Sequence, residues 1–181
     1  MSVVFTIGHG NRAIGEFIAL LREAGIESLV DVRAYPASRR HPQFAREALE
    51  PSLAKAGVRY RWEGNALGGR RKPNKSSPHT ALRNASFRAY ADHMLTEEFQ
   101  HALDRLLALA SGERVAIMCA ERLPWQCHRY LISDSVIARD EKVLHLLDAG
   151  KRQEHRLNQA ARVEQGEVLY DKNGNLVLGF N

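Results

Sequence analysis

Short apolar runs alternate along this chain with stretches in which apolar residues recur every three or four positions. Val3–Ile7 is β-branched and aromatic and predicts a buried strand ending in Gly8-His9-Gly10-Asn11. Over Ile14–Ala24 the residues Ile14, Phe17, Ile18, Leu20 and Leu21 share one face, which predicts a helix with Gly25 as its C-cap. Ser28–Arg33 predicts a second strand. Helical spacing resumes over Phe44–Ala56 with a break expected at Pro51, and Val58–Trp62 alternates as a third strand. Residues 64–78 hold Gly, Pro, Asn, Ser and basic residues without an apolar period, and read as a long loop over a site.

Phe87–Leu95 and Glu98–Ala110 predict two helices, the second capped by Thr96. Arg114–Met118 reads as a strand, Cys119–Trp125 as a turn, Gln126–Ala138 as a helix and Val143–Leu147 as the last strand of the sheet. Residues 167–180, with Lys172-Asn173-Gly174 between β-prone runs, predict a small hairpin. Strands alternating with helices need crossover connections, so the fold class expected is three-layer α/β: a mainly parallel short sheet flanked by helices, with the small C-terminal hairpin. A chain of 181 residues suits a single domain, with a core over 1–150 and an extension over 151–181.

Composition narrows the partners. No run approaches the ~18 apolar residues of a membrane span and no basic leader precedes Val3, so a cytoplasmic protein with no membrane partner is expected. A net charge of +5 and a pI near 9.5 favour an anionic small molecule or nucleic acid. Only Cys119 and Cys127 carry thiols, which argues against a disulfide framework and for reduced thiols or metal ligands.

Ligands of open parallel sheets bind beyond the strand carboxyl ends. That edge would receive His9 and Asn11 after the first strand, Asp31 and Arg33 at the end of the second, Gly68, Gly69 and Arg70 after the third, and Cys119, Glu121 and Arg122 after the fourth. Arg39, Arg40, Arg71 and Lys72 extend an anion-binding wall. The densest segment is Cys119-Ala-Glu-Arg-Leu-Pro-Trp-Gln-Cys-His-Arg129. Helix-start N–H groups with Arg122 and Arg129 would favour a thiolate there, serving as nucleophile or metal ligand.

The expected catalytic set is Cys119 as nucleophile or metal-binding thiolate, with Glu121 or His128 moving protons, together with His9 and Cys127, and Asp31 has a second, structural reading as the partner of Arg33. A divalent metal, if bound, would use Cys119, Cys127 and His128, although the spacing is longer than in a zinc knuckle. His145 and His155 are assigned to no site. The leading function is a cysteine-dependent transferase or hydrolase acting on a nucleotide, nucleic-acid base or phosphorylated compound. The alternatives are a nucleic-acid-binding module with Tyr35, Trp62 and Trp125 for stacking, and a metal or redox sensor.

The segments Thr6–Arg12, Asp31-Val-Arg33 with Pro36, Ser38, Arg39 and Arg40, Leu67–Arg71 and Cys119–Arg129 together resemble the domain of unknown function family 488. That resemblance implies a compact α/β domain of bacterial or archaeal cytosol. Gly10 stands where the family more often has serine. A fainter similarity is to rhodaneses, in Leu29-Val-Asp-Val-Arg33 and Val115-Ala-Ile-Met-Cys119, but Trp125 stands where an arginine closes the rhodanese loop.

Overall fold

The computed structural model describes residues 1–172. Its elements run β1 (Val3–Gly8), α1 (Ile14–Glu23), β2 (Ser28–Asp31), α2 (Arg46–Lys55), β3 (Arg59–Trp62), α3 (Gly64–Leu67), α4 (Ala85–Met94), α5 (Glu97–Gly112), β4 (Val115–Cys119), α6 (Arg129–Ile137), β5 (Lys142–Asp148), β6 (Lys151–Glu154), β7 (Arg162–Glu164) and β8 (Glu167–Leu169). Six strands form one sheet in the order β3-β2-β4-β1-β5-β6, while β7 and β8 pair separately. All pairings are parallel up to β5, and β6 returns antiparallel beside it. The α/β architecture with a mainly parallel sheet and a small C-terminal hairpin is therefore present.

Both faces of the sheet are covered, which explains why its central strands read as continuous apolar runs. One buried cluster joins Phe5, Ile7 and Leu29 to Phe17, Leu20 and Leu21 of α1 and Leu49 and Leu53 of α2. The other joins Val4, Val30 and Ile117 to Tyr90 of α4, Phe99 and Leu103 of α5 and Leu131 and Ile132 of α6. Ala161, Val168 and Tyr170 belong to that second cluster, so the segment after residue 150 contributes to the core.

Several boundaries differ from the sequence reading for identifiable reasons. Helix α2 runs unbroken through Pro51. The carbonyl that loses its partner there belongs to the exposed Glu47, while buried Leu49 and Leu53 hold the helix on either side. Residues 64–67 form the one-turn α3, and Asn84 starts α4 earlier than expected by accepting from the N–H groups of Ser86 and Phe87. Strand β5 is not the last of the sheet: β6 carries no apolar pattern because all its residues are exposed at the edge. The hairpin turns at Gln165-Gly166, whose φ angles of 51° and 81° suit a two-residue turn. The turn expected at Lys172-Asn173-Gly174 lies outside the described residues.

The connections diverge beside β1 and β4. The chain leaves β1 through α1 toward β2 on one side, and leaves β4 through α6 toward β5 on the other. This divergence opens a crevice at the carboxyl ends of the central strands.

Candidate active site

The crevice is a cavity of about 750 Å³ at the ends of β1, β2 and β4. Its basic lining is Arg33, Arg40, Arg70 and Arg122 with His9, His41 and His128, against one carboxylate, Glu121. Basic side chains therefore outnumber the single carboxylate around it.

Cys119 ends β4 and Cys127 follows a 3₁₀ turn over Pro124–Gln126. Cys127 is extended, with φ −146° and ψ 151°, so α6 begins at Arg129 rather than at Gln126. This conformation lets Cys127 Sγ accept the Arg129 N–H at 3.4 Å, much as a capping oxygen does. The two sulfur atoms share a hydrogen bond at 2.7 Å, and the Glu121 carbonyl lies 3.6 Å from Cys119 Sγ.

These surroundings divide the thiols. Burial pushes Cys119 well above the ordinary thiol range, and the bond to Cys127 adds to the shift. Burial acts on Cys127 in the same sense but is outweighed by the bond shared with Cys119, the Arg129 guanidinium and the Arg129 N–H, so Cys127 lies below that range. Once Cys127 ionises, only Cys119 retains a proton to donate between them. The lower pKa of the pair therefore belongs to Cys127.

His128 supplies the neighbouring imidazole. Its Nε2 lies 3.1 Å from the Val32 carbonyl, which can only accept, so Nε2 carries the proton and Nδ1 presents its lone pair. Nδ1 faces Cys127 Sγ at 3.5 Å. Burial lowers the pKa of His128 and keeps the ring neutral. Gly69 makes room for this ring, because a Cβ there would lie 2.6 Å from Nδ1.

Asp31 and Arg33 form a buried bidentate pair, with Nε to Oδ1 at 2.9 Å and Nη2 to Oδ2 at 2.7 Å. Tyr60 donates to Oδ2 at 2.6 Å, so both carboxylate oxygens of Asp31 are occupied and Asp31 meets the cavity only through Arg33. Arg33 Nη1 is turned to His9 Nε2 at 3.5 Å. His9 donates from Nδ1 to the Gly10 carbonyl at 2.8 Å and stacks on Phe44 at 4.4 Å. Burial pulls its pKa down to about 4.

The family described as Domain of unknown function DUF488 matches residues 13–136. The chain belongs to it. The matched stretch contains Arg33, both thiols and His128, while His9 precedes it. No curated protein and no solved structure matches the chain.

In this DUF488 chain the cavity gathers ten of the residues expected at the site: His9, Arg33, Arg40, Gly69, Arg70, Cys119, Glu121, Arg122, Cys127 and His128. The other seven, among them Arg71, which donates to the Gly68 and Asn65 carbonyls, and Lys72, do not line it. Asn11 and Arg39 are exposed elsewhere, and Asp31 acts through Arg33. Gly68 is packed where a Cβ would lie 2.2 Å from the Gly64 carbonyl. Arg129 is buried and donates to the Glu121 and Arg122 carbonyls at 3.0 and 3.3 Å, which shapes the loop. Arg122 is shared with Asp148 at 2.6 Å. Among the described residues, no group of three or more His, Cys, Asp and Glu side chains is arranged to hold a metal ion.

Sequence reasoning missed the wall supplied by Ser86, Phe87 and Tyr90 of α4, together with Ser38, His41 and Gln126. Asn84 starts α4, but no local signal reports which sheet edge α4 overhangs. Tyr60 was read only as part of an alternating strand, and its bond to Asp31 arises from the pairing of β3 with β2.

Proposed function

We propose that this DUF488 protein is an enzyme that uses the Cys127 thiolate on an anionic substrate. The observation that supports it most is a buried, acidified thiol beside a neutral imidazole of fixed tautomer, opening into an arginine-lined cavity. In this reading Cys127 attacks the substrate's electrophilic centre and His128 Nδ1 accepts or returns the proton. Arg33, Arg40 and Arg70 hold the negative charge. Cys119 is a positioning residue that stabilises the thiolate, and His9 keeps Arg33 Nη1 turned toward the cavity. The substrate class is a nucleotide, nucleic-acid base or phosphorylated compound, since guanidinium groups pair well with phosphate oxygens.

The test is protection of Cys127 from iodoacetamide by inorganic phosphate and by nucleoside mono- and diphosphates, read by peptide mass spectrometry. Saturable protection that Arg33→Gln weakens on the order of tenfold is expected. A panel in which no phosphate compound slows alkylation removes the reading.

One observation favours a second reading as a binder of single-stranded nucleic acid. Tyr35 is 67% exposed and carries the Arg70 guanidinium 5.1 Å over its ring, which is a stacking platform beside a basic cavity. That role requires affinity for an oligonucleotide that falls steeply with salt and falls again in Tyr35→Ala.

A further inference from the structure

Cys119 and Cys127 are both free, both buried, and both line the same cavity. Three features of their placement matter together. Their sulfur atoms already touch at 2.7 Å, so joining them requires no rearrangement that would bring distant segments together. Cys127 sits at the Arg129 N–H with His128 Nδ1 at hand, whereas Cys119 keeps its proton close to the Glu121 carbonyl. Only a few per cent of either residue is exposed, so the route to them is the cavity, which admits a small oxidant more readily than a bulky one.

We propose that Cys127 and Cys119 form a peroxide-responsive pair, in which Cys127 is the thiol oxidised first and Cys119 resolves it to an intramolecular disulfide. The Cys127 thiolate attacks one oxygen of the hydroperoxide, and the O–O bond breaks. Sulfur is oxidised to a sulfenic acid, and the other oxygen leaves as water or an alcohol after taking a proton. The Cys119 sulfur then attacks the sulfenic sulfur, an S–S bond forms, and hydroxide departs with the Cys119 proton as water. One hydroperoxide and two thiols give one disulfide, one alcohol or water, and one further water. A dithiol reductant restores the pair.

The disulfide removes the thiolate from the cavity, so it would close the chemistry proposed above. Its formation depends only on the placement of the thiols and not on any substrate, so either proposal can fail alone.

Trypsin distinguishes the outcomes, because cleavage after Arg114, Arg122 and Arg129 puts the two thiols in separate peptides, residues 115–122 and 123–129. The native protein is treated with about one equivalent of hydrogen peroxide, blocked with iodoacetamide, digested without reductant, and mapped by mass spectrometry alongside a size measurement. The expected product is a chain with no covalent link to another, in which peptides 115–122 and 123–129 are joined, and which dithiothreitol returns to two free thiols. In Cys119→Ser the sulfenic acid has no resolving partner, so capture on Cys127 by dimedone should rise on the order of tenfold over the unsubstituted protein. In Cys127→Ser the Cys119 thiol should survive the same exposure. Two unmodified thiols, a Cys127 sulfinic acid beside a free Cys119, or a disulfide between two molecules would each overturn the proposal. Equal dimedone capture with and without Cys119 would overturn the resolving role directly.

Discussion

Cys127 illustrates how little of a thiol's character comes from the residue type. Its acidity depends on Cys119 as a hydrogen-bond donor, on the Arg129 N–H and on the nearby guanidinium. Cys119→Ala removes the first of these while leaving the others, so the pH midpoint of Cys127 alkylation should move upward. An unchanged midpoint would show that Cys119 contributes nothing. Asp31 works differently, by keeping a buried cation in place. Asp31→Ala strands the Arg33 guanidinium in a site that is nearly closed to solvent, and a cost of about 3–5 kcal/mol is expected in urea unfolding. Ligand-dependent protection of Cys127 should weaken in the same variant, because Arg33 loses the carboxylate that aims it.

Strand ends and the turns leaving them bring these residues together. β1 and β4 are in register up to Gly8 beside Cys119, and the next N–H groups, of His9 and Gly10, donate to the Cys119 and Ala120 carbonyls. The loop after β4 lies so close to β1 that a Cβ on Gly8 would fall 1.8 Å from the Glu121 carbonyl oxygen. Gly8→Ala should therefore push the thiol-bearing loop away from β1. Loss of the low-pH alkylation of Cys127, with the far-ultraviolet circular dichroism retained, is the expected signature, and a variant whose Cys127 titrates normally would contradict it. Gly69→Ala presses on the His128 ring instead and should disturb the imidazole without moving the β4 loop.

Buried histidines couple the whole molecule to pH. His9 is held to about 4 and His145 to about 3, chiefly by burial, and burial also lowers His79, His93 and His128. In the unfolded chain a histidine protonates near 6.5. Between these values the unfolded state binds more protons, so stability is fully present above about pH 6.5 and is lost as the pH falls toward 4. His9 alone should contribute on the order of 3 kcal/mol to that loss. Urea unfolding at neutral pH and at about pH 4.5 measures it, and equal stabilities would refute the assignment.

His145 belongs to a buried chain that anchors the C-terminal segment. Thr6 Oγ1 meets His145 Nδ1 at 2.7 Å, His145 Nε2 meets His155 Nδ1 at 3.0 Å, and His155 Nε2 meets Asp134 Oδ1 at 2.8 Å. Tyr170 completes the chain by donating to Asp134 Oδ2 at 2.7 Å. Tyr170→Phe keeps the ring in the core but deprives that carboxylate of a donor, so a loss of about 1–3 kcal/mol in unfolding free energy is expected.

The fold class, the parallel strands and the edge of the sheet that carries the cavity were legible in the chain because each depends on local periodicity. Apolar runs specify buried strands, three-and-four spacing specifies covering helices, and alternation between them leaves few ways to connect the strands. His9, Arg33 and Cys119 could be placed at that edge because each follows directly on such a run. Pairing between distant segments left no comparable trace. Tyr60 reaches Asp31 through strand pairing, α4 closes the cavity from far along the chain, and β6 joins an edge whose solvation demands no apolar pattern. The opposite pKa shifts of the two thiols are of the same kind. Ionisation responds to burial and to groups within a few ångströms in space, and the residues that acidify Cys127 while protecting the proton of Cys119 are assembled only when the β4 loop folds back over β1.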